Sequence, residues 1–241
     1  MAKVASKRLG LIVTCEHGGN EIPREFRPLF KSHADLLRTH RGYDPGALEL
    51  AKVVAREFDS PLHFTTISRL LIEQNRSIGH PSLFSAITKS LDRPAKDRLI
   101  ETYYSPYRSR VVELIEHAIR EHRRVLHLSV HSFTPVLDGD VRNADIGLLY
   151  DPGRSLEKAL ADRWMRSMNE ERPDLTVRRN YPYRGTADGL TTWLRKRFSA
   201  SAYAGFELEV NQRFPLEKGS AWRLVQKSVV ESLWPVLNAD E

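Results

Sequence analysis

The chain has 241 residues, with 37 Lys and Arg against 31 Asp and Glu; its net charge of +6 suits an anionic small substrate and leaves a nucleic-acid surface open. That length, with 41% hydrophobic residues, allows a sizeable α/β core in one large domain or two small ones. A single cysteine excludes an intramolecular disulfide framework; with no membrane-length apolar run and no leader-like N-terminus, the chain is expected in the cytoplasm. The first apolar run, Leu11-Ile12-Val13, reads as a buried strand that stops in Glu16-His17-Gly18-Gly19. A strand ending in a Gly-rich loop delivers side chains to the carboxyl edge of a sheet, where open α/β sheets bind ligands. His17 therefore stands at a site position or in a solvated turn. Residues 23–30 read as irregular or short helical, and Leu48, Ala51, Val54, Ala55 and Phe58 form a helical stripe. Asp44 before Pro45 is a helix-start pair, so its carboxylate either caps that helix, aims at a site, or does both.

Leu62 to Ile67 reads as a second strand, followed by Arg69 and by Asn75-Arg76 near the end of an extended segment. A guanidinium there matches a carboxylate with two parallel hydrogen bonds, although a surface ion pair would place it equally well. Residues 79–105 read as a loop with a short helix at 99–104, and Ser105-Pro106 opens a long amphipathic helix. That helix feeds a strand from Val125, in which His127 is a packing residue and His131 takes the end position equivalent to His17. Two histidines at two strand mouths make half of a metal site. Asp145 to Tyr150 reads as a strand, Ser155 as the cap of a helix with Trp164 and Met168 inward, and Leu175 to Val177 as an edge strand. The loop Asn180 to Gly189 carries Arg184 and precedes a helix through Leu190, Trp193 and Leu194. From Ala204 to Asn211 the residues alternate, so Phe206, Leu208 and Val210 share one face and Glu207, Glu209 and Asn211 the other. A last helix runs from Ser220 to Leu233. With no repeat, low-complexity segment or linker, residues 1–241 read as a single domain.

Six stretches fall in a shared order: Glu16 to Pro23, Tyr43-Asp44-Pro45-Gly46, Ser68-Arg69-Leu70 with Asn75-Arg76, His131 to Pro135, Asn180-Tyr181-Pro182-Tyr183 and Glu209-Val210-Asn211. In this the chain resembles the N-formylglutamate amidohydrolase family over roughly residues 11–214. The family's Asp before Asn-Arg is Glu73 here, and both residues after His17 are glycine.

The resemblance implies an α/β, three-layer α/β/α fold around a central mixed sheet, the phosphorylase/hydrolase-like arrangement of zinc carboxypeptidases and aspartoacylases. It also implies one zinc ion (Zn2+) held by His17, His131 and Asp44, with Glu16 and Glu21 as competitors for the third place. Glu209 is the implied general base, acting on water and then on the departing amine, and Arg69 is a helper at the oxyanion. Asn75 and Arg76 are the implied grip on a substrate carboxylate, with Arg184 the candidate for a second one. The implied substrate is a small anionic N-acyl amino acid, cleaved to an amino acid and an acid such as formate. Rival readings are another N-acyl-amino-acid deacylase or small peptidase of the same chemistry, and a non-catalytic basic module for anions or nucleic acid. The scatter of Lys and Arg along the chain, against His, Asp and Glu concentrated at strand ends, disfavours the last.

Overall fold

The computed structural model describes residues 9–238. The N-terminal stretch on which the leader expectation partly rests, and the two ends of the expected 1–241 domain, lie outside the described residues. Six strands form the central sheet in the order β2-β1-β3-β8-β6-β7: β1 (Gly10–Cys15), β2 (Leu62–Phe64), β3 (Val125–Phe133), β6 (Ile146–Leu149), β7 (Val177–Arg179) and β8 (Tyr203–Asn211). All neighbours run parallel except β6 and β8, so the sheet is mixed, as the resemblance implies. A separate two-stranded hairpin, β4 (Val136–Leu137) and β5 (Asp140–Val141), follows β3.

Strand alternation divides the apolar residues into two packed layers. Leu11, Val13, Leu126, Leu128, Phe206, Leu208 and Val210 face α2 (Ala47–Glu57), α5 (Ser155–Glu171) and α8 (Ser220–Leu237). Ile12, Val125 and Tyr203 face α4 (Ser105–His122) and α6 (Leu190–Arg195). The fold is therefore a mixed sheet between helical layers. On the second face, toward the carboxyl ends of β1, β3 and β8, the apolar residues give way to polar ones. Thr14, Ser129, His131, Glu207 and Glu209 have the same strand parity there, and Glu16 follows β1 directly.

Several local expectations are corrected. The helix after Asp44 begins only at Ala47, and its N-cap is Gly46 at φ 79°, with no side-chain cap. A Cβ at Gly46 would also run into Pro215, so glycine suits the position twice over. Asp44 is thereby free of capping. β2 ends at Phe64, short of Ile67, which instead makes an isolated bridge with Glu21. The expected loop at 79–105 is helical from Arg93: Asp92 caps α3 (Arg93–Leu99) by accepting from the Ala95 N–H at 2.8 Å. A π-helical turn over Ile100–Tyr104 then runs straight into α4, so Ser105-Pro106 lies inside a continuous helical run. Ser155 is the first residue of α5, and Arg154 occupies its cap position without a capping hydrogen bond. A 3-10 helix over Arg24–His33, with α1 (Ala34–Leu37), fits the short helical segment expected there. A short α7 (Arg213–Glu217) links β8 to α8. No helix of the described residues is long and apolar enough to cross a membrane.

Candidate metal centre

The centre is assembled at the carboxyl ends of β1 and β3. His17 follows β1 by two residues. His131 lies within β3, two residues before its end, and projects past the last residue of β1 paired with it, because Thr14 pairs with Ser129. Asp44, on the turn before α2, reaches between them. Its Oδ2 lies 3.2 Å from His17 Nδ1 and 2.9 Å from His131 Nδ1, and the two Nδ1 atoms are 3.2 Å apart. All three residues are buried. Ligands held at about 2.0–2.1 Å around a tetrahedral zinc stand about 3.3 Å apart, so this triangle fits such an ion. His17, Asp44 and His131 could thus hold a metal.

Each imidazole is held from behind. His17 Nε2–H donates to Glu73 Oε1, and Glu73 is bound in turn by Arg69, whose Nη2 lies 2.6 Å from Oε2. Arg69 Nη1 also donates to Asp44 Oδ1 at 3.2 Å, so one guanidinium ties two of the carboxylates together. On the other side, His131 Nε2 lies 3.1 Å from Glu16 Oε2. Burial opposes ionisation of Glu16, Asp44 and Glu73, yet hydrogen bonds and charges from the imidazoles and Arg69 outweigh it and hold all three well below the usual carboxylate range. Burial likewise opposes charge on His17 and His131, yet the carboxylates raise both above the ordinary imidazole value. Three carboxylates thus meet two imidazoles and one guanidinium. Two protonated imidazoles balance the cluster, and a divalent cation with two neutral imidazoles balances it equally.

Glu209 stands across the β3–β8 ladder from His131, and Glu207 across from Ser129. Glu209 is 5% exposed, and its Oε2 has no hydrogen-bond partner among the described residues. Burial, with Asp44 and Glu207 adding repulsion, raises its carboxyl from 4.5 to about 7. Glu207 is only half-buried and is engaged by Thr191 Oγ1 at 3.1 Å and Asn75 Nδ2 at 3.5 Å. Of the two acids on this face, Glu209 is therefore the unpaired one beside the imidazoles.

A cavity of about 320 Å³ adjoins the centre and is lined by Arg69, Glu73, Arg76, His80, Ser82, Ala187 and Asp188. Arg76 is half-buried in its wall, with Nη1 donating to the Asp188 carbonyl at 2.7 Å. Asn75 is buried instead of lining the cavity, and its Oδ1 accepts the Leu190 N–H at 2.6 Å. Arg184 is exposed on the following loop and is absent from the cavity wall. Nearby His40 is held below its ordinary value by burial and then by Arg41, Arg69 and Arg142, which marks a cationic surrounding. Glu16 faces Nε2 of His131, away from the convergent Nδ1 atoms, and Glu21 is exposed and accepts from Thr66 Oγ1 at 2.8 Å. Neither joins the His17, Asp44 and His131 cluster. A larger cavity, about 780 Å³, is lined by Glu21, Arg27, Phe30 and Tyr103 among others and by none of the three.

Sequence reasoning missed the carboxylates behind the imidazoles. For Glu73 the signal was its place before Asn75-Arg76, noted only as a departure from the family pattern. For Glu16 it was parity, since Glu16 matches Ser129 and His131 in the adjacent strand, but that is usable only once β1 and β3 are known to be neighbours.

Among solved structures, the chain is similar to a gene product of Agrobacterium tumefaciens, with 28% identity, a TM-score of 0.77, and coverage of 94% of this chain and 91% of that one. It also resembles the N-formylglutamate amidohydrolase of Ralstonia eutropha in fold, at 20% identity and a TM-score of 0.71, covering 95% of this chain and 93% of that one. No curated protein matches it. The family model for N-formylglutamate amidohydrolase matches residues 9–215, which include every residue of the centre and its cavity, and the chain belongs to that family.

Proposed function

We propose that the chain, as one domain, is a zinc-dependent hydrolase that cleaves the amide of an N-formyl or other short N-acyl amino acid such as N-formylglutamate. The observation that carries this reading is an unpaired buried carboxyl, Glu209, beside three convergent donor atoms, His17 Nδ1, His131 Nδ1 and Asp44 Oδ2, in a member of this family. His17, Asp44 and His131 would hold the zinc ion, which when bound supplies Lewis-acid polarisation of the acyl carbonyl and acidifies water. Glu209, buried beside the imidazoles with Oε2 unpartnered, accepts the proton of the attacking water. The same carboxyl then delivers that proton to the departing nitrogen, releasing an amino acid and a small acid such as formate. Arg69, fixed by Asp44 and Glu73 at the cavity wall, adds positive charge where the carbonyl oxygen becomes anionic. Arg76 takes the substrate carboxylate in the cavity, and Asn75, anchored on Leu190, holds the turn from which it projects. Arg184 is the candidate for a second carboxylate. The test is metal analysis of the purified protein alongside hydrolysis of N-formylglutamate and of panels varied in acyl group and amino acid. Stoichiometric zinc with turnover on an N-acyl amino acid supports the reading. A protein that binds no divalent metal and cleaves none of the panel with added zinc overturns it.

A further inference from the structure

We propose that Glu16 is a positioning residue of the metal centre, a buried carboxylate that grips His131 by its Nε2–H so that Nδ1 is the atom offered to the ion. This rests on the zinc reading above and deepens it. Glu16 is wholly buried, on the residue directly after β1, and faces the same side of the sheet as Ser129 and His131. Its Oε1 accepts the Tyr107 hydroxyl at 2.7 Å, its Oε2 accepts the Ser129 hydroxyl and lies 3.1 Å from His131 Nε2, and that Nε2 also stands 2.9 Å from Ser129 Oγ. A buried carboxylate is costly unless donors converge on its charged form, and here Tyr107 from α4 and Ser129 and His131 from β3 do so.

The partner of His17 differs in kind. Glu73 shares its charge with Arg69 and lines the cavity, whereas Glu16 is held by two neutral hydroxyls, and His131 is the imidazole it touches. Of the imidazoles in its field, His131 receives its charge at contact distance. A carboxylate behind a ligating imidazole fixes the ring, keeps the proton on the far nitrogen and makes the near nitrogen a better donor. Without that carboxylate the acceptor left at Nε2 is the neutral Ser129 hydroxyl, 2.9 Å away, and it holds the proton there less firmly against a shift to Nδ1, the atom that faces His17 and Asp44.

The test is Glu16→Gln in the full chain, which keeps the size of the side chain and removes its charge. Zinc affinity is read by competition with a chromophoric chelator. The cobalt-loaded protein is read by proton NMR, in which each coordinated imidazole gives a shifted, exchangeable Nε2–H signal. The expected result is a loss of about 10–100-fold in zinc affinity, with the His131 signal displaced or in faster exchange and the His17 signal retained. Tyr107→Phe, which removes one donor but leaves the carboxylate, is expected to lose less, and it carries the test if Glu16→Gln does not fold. For whichever of the two is folded, unchanged zinc affinity with both signals unmoved overturns the inference. A wild-type chain that binds neither zinc nor cobalt fails earlier and differently, by removing the metal reading itself.

Discussion

Replacing Glu209 by Gln is expected to stabilise the metal-free protein at pH 8 while removing most of its turnover. The carboxyl is 5% exposed, leaves Oε2 unpartnered and is raised from 4.5 to about 7, with burial the largest cause. That rise corresponds to about 3 kcal/mol of preference for the neutral acid in the folded state. The sign follows from linkage. Below about pH 4.5 the group is protonated folded and unfolded and costs nothing. Between 4.5 and 7 the unfolded chain ionises and the folded one resists, and above 7 the full cost is present. The amide of the Glu209→Gln variant does not ionise, so its stability advantage should grow by up to about 3 kcal/mol between pH 5 and pH 8. Any fixed cost of burying the new amide cancels in that difference. The assay is urea unfolding of chelator-treated wild type and Glu209→Gln at several pH values, with turnover measured separately on zinc-loaded protein. Turnover should fall by about 10²–10⁴-fold, the share of a general base. Glu207→Gln, at a half-buried acid already engaged by Thr191, should move both quantities much less. A stability difference constant with pH, or Glu207→Gln matching Glu209→Gln, would refute the assignment.

Zinc binding near neutral pH should release protons, because both imidazoles are raised by the surrounding carboxylates and must be neutral to coordinate. Zinc affinity should therefore weaken as pH falls; calorimetry in buffers of different ionisation enthalpy checks this, and release near zero would contradict the charge balance drawn above. Chelation should lower the Tm of the loaded protein, since an ion bound only by the folded state adds its binding free energy to stability. Arg76→Lys keeps charge but loses the planar fork, so kcat/KM should drop by about 1.5–3 kcal/mol at unchanged zinc content, and equal activity would make Arg76 structural. Gly147 pairs with Glu209 across the β6–β8 ladder, and a Cβ there would run into the Tyr181 carbonyl oxygen. Gly147→Ala should accordingly lower stability by about 1–3 kcal/mol in urea unfolding, as overpacking does, and a neutral result would show that the loop yields.

By itself the sequence determined what depends on backbone periodicity and on residue chemistry. Alternation in 204–211 put Glu207 and Glu209 on the face opposite Phe206 and Leu208, and the stripe Trp222, Val225, Val229 and Leu233 marked the packed side of α8. Through the family resemblance, the six ordered motifs implied His17 and His131 as ligands, with Asp44 ahead of Glu16 and Glu21 for the third place. Periodicity reports only which face a side chain takes within its own element; it is silent on what lies opposite. The strand order, which puts β8 beside β3 and so Glu209 across from His131 while Glu207 meets Ser129, was decided by long-range packing of two helical layers. The same holds for Asp44. Its local sequence was compatible with a helix cap, and only the start of α2 at Ala47 and the approach of two imidazoles gave its carboxylate to the centre. Glu16 and Glu73 show the limit most sharply, for each lies next to one histidine or none in the chain and serves a histidine 115 or 56 residues away, a pairing that exists only where separate strands and turns are packed together.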